Sequence, residues 1–382
     1  MLRTPFLLVF ILVMNFVSSQ TVYEEFESRK LNERREIKIQ LPRNYETNTD
    51  KKYPLFIVFD GDYLFEAVAG NVDYYSYWED IPEAIVVGIN QIDFRQADCF
   101  YSEQNSLPIE SGAAFFEFVS MELIPHLIGK YRLANFRVAV GHGETANFIN
   151  YYLLKSDPIF QAYINISPIF APDMLNYLPE RIEKIGQKTF YYLATSTDDL
   201  KVAQEDSNAL NTSLASIDNK SFLYDFNNFK GPSHYSNPAH ALPNALESIF
   251  FVFQPISKKE YQEQILTLET SPVDYLKEKY KMIYDLFGLK KQILVNDFKA
   301  IAAAISKSEK FEYFEELGKI ARKEYSDSLL GHFYLARYYE EKGETKKAMK
   351  TYRSAYILQE IGGITKDEML ERADAIKRDF GY

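Results

Sequence analysis

The chain has 382 residues, of which 46% are hydrophobic and 15% aromatic, and its net charge is −11. A chain of this length and composition can bury a full hydrophobic core. It is therefore neither a disordered nor a fibrous protein. Residues 1–254 hold 32 acidic against 20 basic side chains, whereas residues 255–382 are nearly balanced. Because neither part offers a basic stripe to a phosphate backbone, we expect no nucleic-acid partner.

The first 19 residues have the pattern of a secretory signal. Arg3 is the only charge, residues 5–17 form a short apolar stretch, and Ser18 and Ser19 supply small residues for cleavage before Gln20. An uncleaved membrane anchor is the alternative, but the apolar stretch is shorter than the ~20 residues of a spanning helix. We therefore predict an exported protein, periplasmic or secreted.

Seven apolar segments then alternate with helical patterns. They show little polar alternation, which is typical of strands covered on both faces of a mainly parallel sheet. The segments are residues 36–41, 54–59, 84–89, 136–140, 162–166, 189–194 and 222–226, and the helical patterns are residues 113–131, 145–154 and 243–253. The predicted fold class is α/β, with helices on both faces of the sheet. This domain spans residues 20–254, with a core that ends near Phe253.

After Pro255 the pattern is helical only, which predicts a second, all-α domain over residues 255–382. Residues 329–360 have the spacing of a tetratricopeptide repeat, carried by Leu335, Ala336, Tyr339, Gly343, Ala348, Tyr352 and Ala355. Residues 295–325 show weaker repeat signals, and residues 366–380 have the polar character of a closing helix. Two interpretations stay open: a generic helical hairpin packed on the first domain, or a repeat with a peptide-binding groove.

Residues 138–147, VAVGHGETAN, occupy a strand–turn–helix site. At this site α/β-hydrolases carry their nucleophile in the motif G-x-S-x-G. The position of the serine is Gly143 here. Without a hydroxyl or thiol at that position, no acyl-enzyme forms by the usual route.

Several further segments resemble the putative-esterase family of α/β-hydrolases, the branch that contains enterobactin-type siderophore esterases. The resemblance covers roughly residues 33–254. Its landmarks are residues 37–42 before Tyr45, residues 53–62, residues 85–89, Arg95 and Asp98, residues 115–131, residues 141–142, residues 162–168 and residues 233–236. Each landmark is weak alone, but their order and spacing together identify the family.

The resemblance implies a role for each matching position. It places the nucleophile at Gly143 and the general base at His234. The acid that orients the histidine is then Asp198 or Asp199, of which Asp198 is taken here. The oxyanion donors are backbone N–H groups near Gly61-Asp62 and of Glu144. A triad needs its base beside the nucleophile and a carboxylate behind the base, so two of the three members are kept.

Three departures from the family point away from catalysis. Thr145 and Ala146 replace expected glycines, Gly143 relaxes a position that is strained with serine, and Glu144 places a negative charge beside a developing oxyanion. Our first hypothesis is an inactive pseudo-esterase that serves as a binding or interaction scaffold, with a protein partner on the helical domain. A small ester-like ligand in the former ester pocket is a further candidate. The alternative is a carboxylic-ester hydrolase with an atypical catalytic site.

The remaining candidates are few. The spacing of His240 from His234 fits no metal site, and the single cysteine, Cys99, excludes an intrachain disulfide and a cysteine cluster, so we expect no metal and no cofactor. An aromatic cluster spans residues 74–78, YYSYW. It could stack on a ligand or partner. We favour a helix that buries two of the rings.

Overall fold

The computed structural model describes residues 21–382, so the predicted export signal lies outside the described residues. The first part of the chain forms an eight-stranded sheet. Its strands are β1 (Thr21–Ser28), β2 (Glu33–Gln40), β3 (Tyr53–Val58), β4 (Ile85–Ile89), β5 (Leu133–His142), β6 (Ala162–Ile166), β7 (Thr189–Asp198) and β8 (Phe222–Ser233). Their order is β1-β2-β4-β3-β5-β6-β7-β8. The first three strands in this order pair antiparallel and the remaining neighbours pair parallel, which confirms the predicted fold class.

All seven predicted segments are strands, and β1 is an additional one. Strands β3, β4 and β6 are buried along their whole length, as their continuous apolar sequences predict. Strand β1 was not predicted from the sequence, because it lies at the sheet edge and is rich in charged side chains, including Glu24, Glu25 and Glu27. Charged edge strands of this kind discourage pairing with other chains.

Helices cover both faces of the sheet. They are α1 (Phe65–Tyr77), α2 (Arg95–Asp98), α3 (Glu110–Glu117), α4 (Ile124–Lys130), α5 (Glu144–Leu153), α6 (Met174–Ile182), α7 (Lys201–Leu214) and α8 (Asn237–Ile249). The helix predicted over residues 113–131 consists of α3, a π-helical segment (Phe118–Leu123) and α4 in succession. One hydrophobic core lies on each face, and α1 and α8 cover the second of them.

The aromatic cluster of residues 74–78 lies at the end of α1. The helix buries Phe65, Val68, Ala69 and Val72 instead. The rings of Tyr74, Tyr77 and Trp78 are exposed, and that of Tyr75 is half-buried. The expectation of a helix is confirmed, whereas the expectation of two buried rings is wrong.

The second part of the chain is helical. Its helices are α9 (Lys258–Glu263), α10 (Pro272–Phe287), α11 (Val295–Ser308), α12 (Tyr313–Glu324), α13 (Leu330–Glu341), α14 (Thr345–Ser354) and α15 (Lys366–Phe380). Helices α12 and α13 cross closely at Gly318 and Gly331. There is no room for a side chain there, since a Cβ atom on Gly331 would lie 2.7 Å from the carbonyl oxygen of Gly318. Ala336 and Ala348 are buried in the α13–α14 hairpin. Among the described residues no helix is long and apolar enough to cross a membrane.

Helix α10 contributes buried side chains to a core of the sheet as well as to the core of the helical part. The Phe287 ring lies 4.9 Å from the ring of Phe136, 5.1 Å from that of Phe250 and 6.0 Å from that of Phe190, measured between ring centroids. Ile283 is buried in the same cluster. The prediction that the first core ends near Phe253 is therefore wrong, because the sequence after residue 255 supplies part of it.

Candidate functional site

The turn between β5 and α5 is the centre of the site. Gly143 adopts φ 62° and ψ −119°, a combination that glycine alone adopts easily. Its N–H donates to the carbonyl of Ile166 at 3.0 Å, and its carbonyl accepts from the N–H of Ile169 at 3.0 Å. Gly141 must also be small, since a Cβ atom there would lie 2.6 Å from the carbonyl oxygen of Thr145. The chain therefore keeps the sharp turn on which hydrolases of this fold present a nucleophile.

The imidazole of His234 faces this turn. A Cβ atom built on Gly143 would lie 3.4 Å from Nε2 of His234 and 3.3 Å from Nη2 of Arg95. His234 directly follows β8 and is buried. The structure thus brings Gly143 and His234 together as the residue-by-residue transfer predicts.

Asp199, rather than Asp198, stands behind the histidine. Nδ1 of His234 lies 2.7 Å from Oδ1 of Asp199, whose side chain is fully buried. Asp198 ends strand β7, and its exposed carboxylate accepts only the neighbouring Thr197 hydroxyl, at 3.2 Å. The choice of Asp198 is corrected, because successive side chains along a strand point in opposite directions and a one-residue difference reverses the direction.

The environment of Asp199 favours its charged form. Burial opposes ionisation, but hydrogen bonds from His234, Ser167 and Thr195 outweigh it and hold the pKa of the Asp199 carboxyl below its usual value. A carboxylate at this position accepts the Nδ1–H of His234. The lone pair of Nε2 is then directed at the space beside Gly143.

The two predicted oxyanion donors differ in whether their N–H groups are already hydrogen-bonded. The N–H of Gly61 donates to the carbonyl of Ile89 at 2.7 Å, so the assignment of Gly61 itself is wrong and the neighbouring N–H of Asp62 is the candidate that remains there. Gly61 is small because a Cβ atom there would lie 2.7 Å from the Ile89 nitrogen. Glu144 is the first residue of α5, where backbone N–H groups have no intrahelical acceptor. Its carboxylate pairs with Arg95, which compensates the negative charge expected there.

Arg95 and Asp60 form an ion pair that the sequence did not reveal. Nε of Arg95 lies 2.7 Å from Oδ1 of Asp60, and Nη2 lies 3.1 Å from Oδ2 and 2.9 Å from the carbonyl oxygen of His142. Burial opposes the charge on Arg95, but Asp60 raises its pKa above the ordinary value. Both residues lie in family landmarks, which was the available signal, but only the fold brings these two loops together.

His142 makes a hydrogen bond to the backbone of His234. Its Nε2 donates to the carbonyl oxygen of His234 at 3.0 Å, and its Nδ1 lies 2.9 Å from the Tyr63 hydroxyl, which also lies 3.0 Å from Oδ2 of Asp60. The two imidazole rings lie 4.5 Å apart. Burial, helped by His234, lowers the pKa of His142 to about 4, so the ring is neutral at neutral pH. His142 therefore holds the backbone that carries His234.

The nearby hydroxyls are committed to other partners. Thr145 is fully buried and donates to Oδ2 of Asp60 at 2.7 Å. The hydroxyls of Ser233 and Ser236 lie 3.2 Å from each other. Within residues 21–382 no cluster of three or more His, Cys, Asp or Glu side chains could hold a metal ion. The arrangement can bind a polar ligand or polarise a water molecule, but it presents no hydroxyl in the place of the nucleophile.

Comparison with known proteins identifies the family. Residues 28–235 match the family described as "Putative esterase". An uncharacterised protein from Capnocytophaga ochracea is 33% identical, with a TM-score of 0.84, over 94% of this chain and 100% of its own. Its similarity includes the helical part. No functionally curated protein matches this chain.

Two more distant structures share the fold. An IroE-like serine hydrolase from Shewanella oneidensis is 19% identical, with a TM-score of 0.60, over 78% of this chain and 98% of its own. The BES protein from Bacillus cereus is 19% identical, with a TM-score of 0.53, over 62% of this chain and 97% of its own. Both confirm the α/β-hydrolase architecture.

Proposed function

Because this chain belongs to the putative-esterase family, we propose that it is an exported pseudo-esterase, a binding or interaction scaffold that forms no acyl-enzyme. One observation carries the proposal: Gly143 occupies the nucleophile turn with His234 Nε2 3.4 Å from where its Cβ would stand. The base is in place, but the atom it would activate is missing. A triad base without a hydroxyl or thiol has no nucleophile to deprotonate.

The surroundings of Gly143 support the same proposal. Arg95 reaches over the turn and pairs with Glu144, so charged side chains occupy the approach to the first N–H groups of α5. A developing oxyanion requires preorganised donors at that place. Gly143 also has a positive φ of 62°, which strains a residue that carries a side chain, so glycine removes strain there.

The helical part is the proposed partner-binding region. Its α13–α14 hairpin is followed by the exposed side chains of Tyr356 and Ile357. Exposed apolar side chains in a solvent-facing loop favour contact with another protein. The export pattern of residues 1–19 supports a partner in the periplasm, at the cell envelope or outside the cell. A small ester-like ligand at His234 is compatible with the same scaffold.

A second candidate function rests on the intact pair of His234 and Asp199. The 2.7 Å contact between them is the geometry of a general base, so a water molecule beside Gly143 could attack an ester directly. Hydrolases stripped of their triad retain roughly 10³–10⁴-fold acceleration from binding and oxyanion stabilisation. This route would make the protein a slow carboxylic-ester hydrolase.

Ester turnover separates the two functions. We expect the protein to hydrolyse p-nitrophenyl butyrate no faster than a His234→Ala variant, because the base has no nucleophile to activate. The Asp198→Asn variant, which changes an exposed carboxylate beside the pair, is the control for nonspecific effects. A rate that falls by about tenfold or more in His234→Ala and in Asp199→Asn, but not in Asp198→Asn, would establish the hydrolase instead.

A further inference from the structure

The imidazole of His234 has one nitrogen that the protein does not use. Its Nδ1 lies 2.7 Å from Oδ1 of Asp199, and a carboxylate there accepts the Nδ1–H and leaves the lone pair on Nε2. Within residues 21–382 no hydrogen bond reaches Nε2, although only 9% of the side chain is exposed. Nε2 faces the space beside Gly143, where a Cβ atom would lie 3.4 Å away. A buried acceptor of this kind requires a donor from a ligand.

The start of helix α5 bounds the same space with the opposite polarity. Glu144 is its first residue, and the first N–H groups of a helix lack intrahelical acceptors and carry the positive end of the helix dipole. Arg95 lies beside them. Both hydrogens of its Nη2 are taken by Asp60 and the carbonyl of His142, so it adds positive charge but no free N–H there. An oxygen atom beside Gly143 is favoured by this environment.

The charges around the space select a neutral ligand group. Asp60 and Glu144 share the guanidinium of Arg95, and Asp199 pairs with His234, so negative charge is in excess. A carboxylate ligand would add to this excess and has no hydrogen to donate. An ammonium group has one, but the guanidinium and the positive end of α5 repel it. An ester has no hydrogen to donate, whereas a hydroxyl is neutral and both donates and accepts through one atom.

Exposed apolar side chains surround this space. They follow the ends of four strands and are Tyr63 after β3, Ile92 after β4, Leu200 and Val202 after β7, and Tyr235 after β8. The Tyr235 ring lies 5.3 Å from the ring of His234, and the N–H of Leu200 donates to Oδ1 of Asp199 at 2.8 Å. An apolar surface therefore adjoins the imidazole, as in sites that bind a largely apolar molecule through a few polar groups.

We propose that the space beside Gly143 binds a neutral alcohol with an apolar body. The ligand hydroxyl takes the place of the missing serine hydroxyl, donates to Nε2 of His234 and turns its oxygen to the start of α5. The apolar body lies on Tyr63 and Tyr235. No bond is made or broken there. This inference rests on the proposed function, because the position is open only in a chain that has no nucleophile of its own there.

Four ligands that differ in a single group test the proposal. They are 4-fluorobenzyl alcohol, its methyl ether, 4-fluorobenzylamine and 4-fluorobenzoate, each followed by fluorine NMR during titration with the full mature protein at about pH 8. We expect the alcohol to bind saturably and the other three to bind about tenfold more weakly or not at all, because each lacks a neutral donor for Nε2. Equal affinities of the alcohol and the ether, or tighter binding of the amine or the benzoate, would overturn the proposal.

A histidine variant locates the hydroxyl. His234→Phe keeps a ring but removes the acceptor, so the alcohol should lose its advantage over the ether. His240→Phe, which changes an exposed imidazole in α8, is the matched control and should keep the full difference. A difference between alcohol and ether that persists in His234→Phe would contradict the assignment of Nε2 as the acceptor.

Two further variants test the position and the apolar surface. Gly143→Ser places a hydroxyl where the ligand hydroxyl should lie, so it should weaken binding of the alcohol by about tenfold or more, with circular dichroism to check the fold. Tyr235→Ser should weaken the alcohol and the ether alike, whereas Tyr74→Ser, at an exposed ring of α1, should weaken neither. Unchanged affinity in both Gly143→Ser and Tyr235→Ser would place the ligand elsewhere and overturn the proposal.

The proposed function is tested by a separate measurement. Ester turnover that depends on His234 would overturn the proposed function and this inference with it. No turnover, together with equal binding of the alcohol and the ether, would overturn this inference alone.

Discussion

At Gly143 the sequence lacks the nucleophile of a working esterase, and the backbone there has a positive φ. Its positive φ and strongly negative ψ are retained although the serine that such a turn presents in hydrolases is absent. The hydrogen bonds of Gly143 to Ile166 and Ile169 explain why. The turn joins β5 to α5 and is therefore part of the fold, independent of catalysis.

A serine at this position should be costly. We expect Gly143→Ser to lower the free energy of unfolding by about 1–3 kcal/mol, because an L-residue is strained at these angles and its Cβ meets Arg95 at 3.3 Å. Urea denaturation measures the change. Gly70→Ser is the matched control, since Gly70 lies exposed in α1 with open space around it. Equal stability of the two variants would argue against strain at the turn.

The same variant should not become a strong esterase. The new hydroxyl would face His234, but the charged side chains of Arg95 and Glu144 occupy its surroundings. A nucleophile without preorganised donors gains little rate. Measured on p-nitrophenyl butyrate, turnover of Gly143→Ser near that of ordinary serine esterases would show that the pocket is otherwise complete.

His142 should make stability depend on pH. Its pKa is about 4 in the folded protein and 6.5 when unfolded, so above pH 6.5 the ring is neutral in both states. As the pH falls from 6.5 towards 4, only the unfolded state binds the proton, and the folded state loses up to about 3 kcal/mol.

Denaturation at several pH values tests this dependence. The stability advantage of the unchanged protein over His142→Gln should shrink as the pH falls from 6.5 to about 4. His240→Gln, which removes an exposed imidazole, is the control. An advantage that stays constant over this range would contradict the burial of a neutral ring.

At the scale of elements, α10 joins the two parts of the chain. The C-terminal half of the helix places Ile283 and Phe287 in the core of the sheet, and its N-terminal half places Val273 and Leu276 in the core of the helical part. We expect Phe287→Ala to lower the free energy of unfolding by about 3–5 kcal/mol, because a buried ring is replaced by a cavity. Phe380→Ala, at an exposed ring near the end of α15, should change it little. Similar losses in both variants would refute the bracing role of α10.

Secondary-structure elements could be predicted from the sequence where their own residues determine their burial and geometry. The strands β3, β4 and β6 are apolar throughout, so their burial follows from composition, and the glycines around the turn follow from its geometry. The choice between Asp198 and Asp199 could not be made in this way. It depends on where β7 ends relative to β8, a pairing between distant segments. The loss of Gly61 as a donor likewise depends on Ile89 of the adjacent strand.

At the scale of the whole molecule, the two parts should be inseparable. Deletion of residues 257–382 removes Phe287 and uncovers the rings of Phe136 and Phe250. We expect the truncated protein to aggregate or to lose its cooperative thermal transition, because that apolar surface becomes exposed to water. A soluble fragment of residues 20–256 with a sharp transition would contradict this expectation and restore the boundary near residue 254 as the end of a self-sufficient domain.

The sequence predicted the overall architecture, but it did not predict how the two parts of the chain contact each other. Alternating strands and helices, followed by helices alone, predicted both regions. The packing of α10 on the sheet was missed because the spacing of apolar residues does not tell which neighbour covers a helix face.

The central claim is that no covalent intermediate forms at Gly143, and intact-mass spectrometry after incubation with a fluorophosphonate tests it most directly. We expect the mass of the full mature protein to stay unchanged under conditions that label an ordinary serine esterase completely. A single stoichiometric adduct, lost in His234→Ala, would contradict the claim, because it would show that another side chain has taken the place of the missing serine.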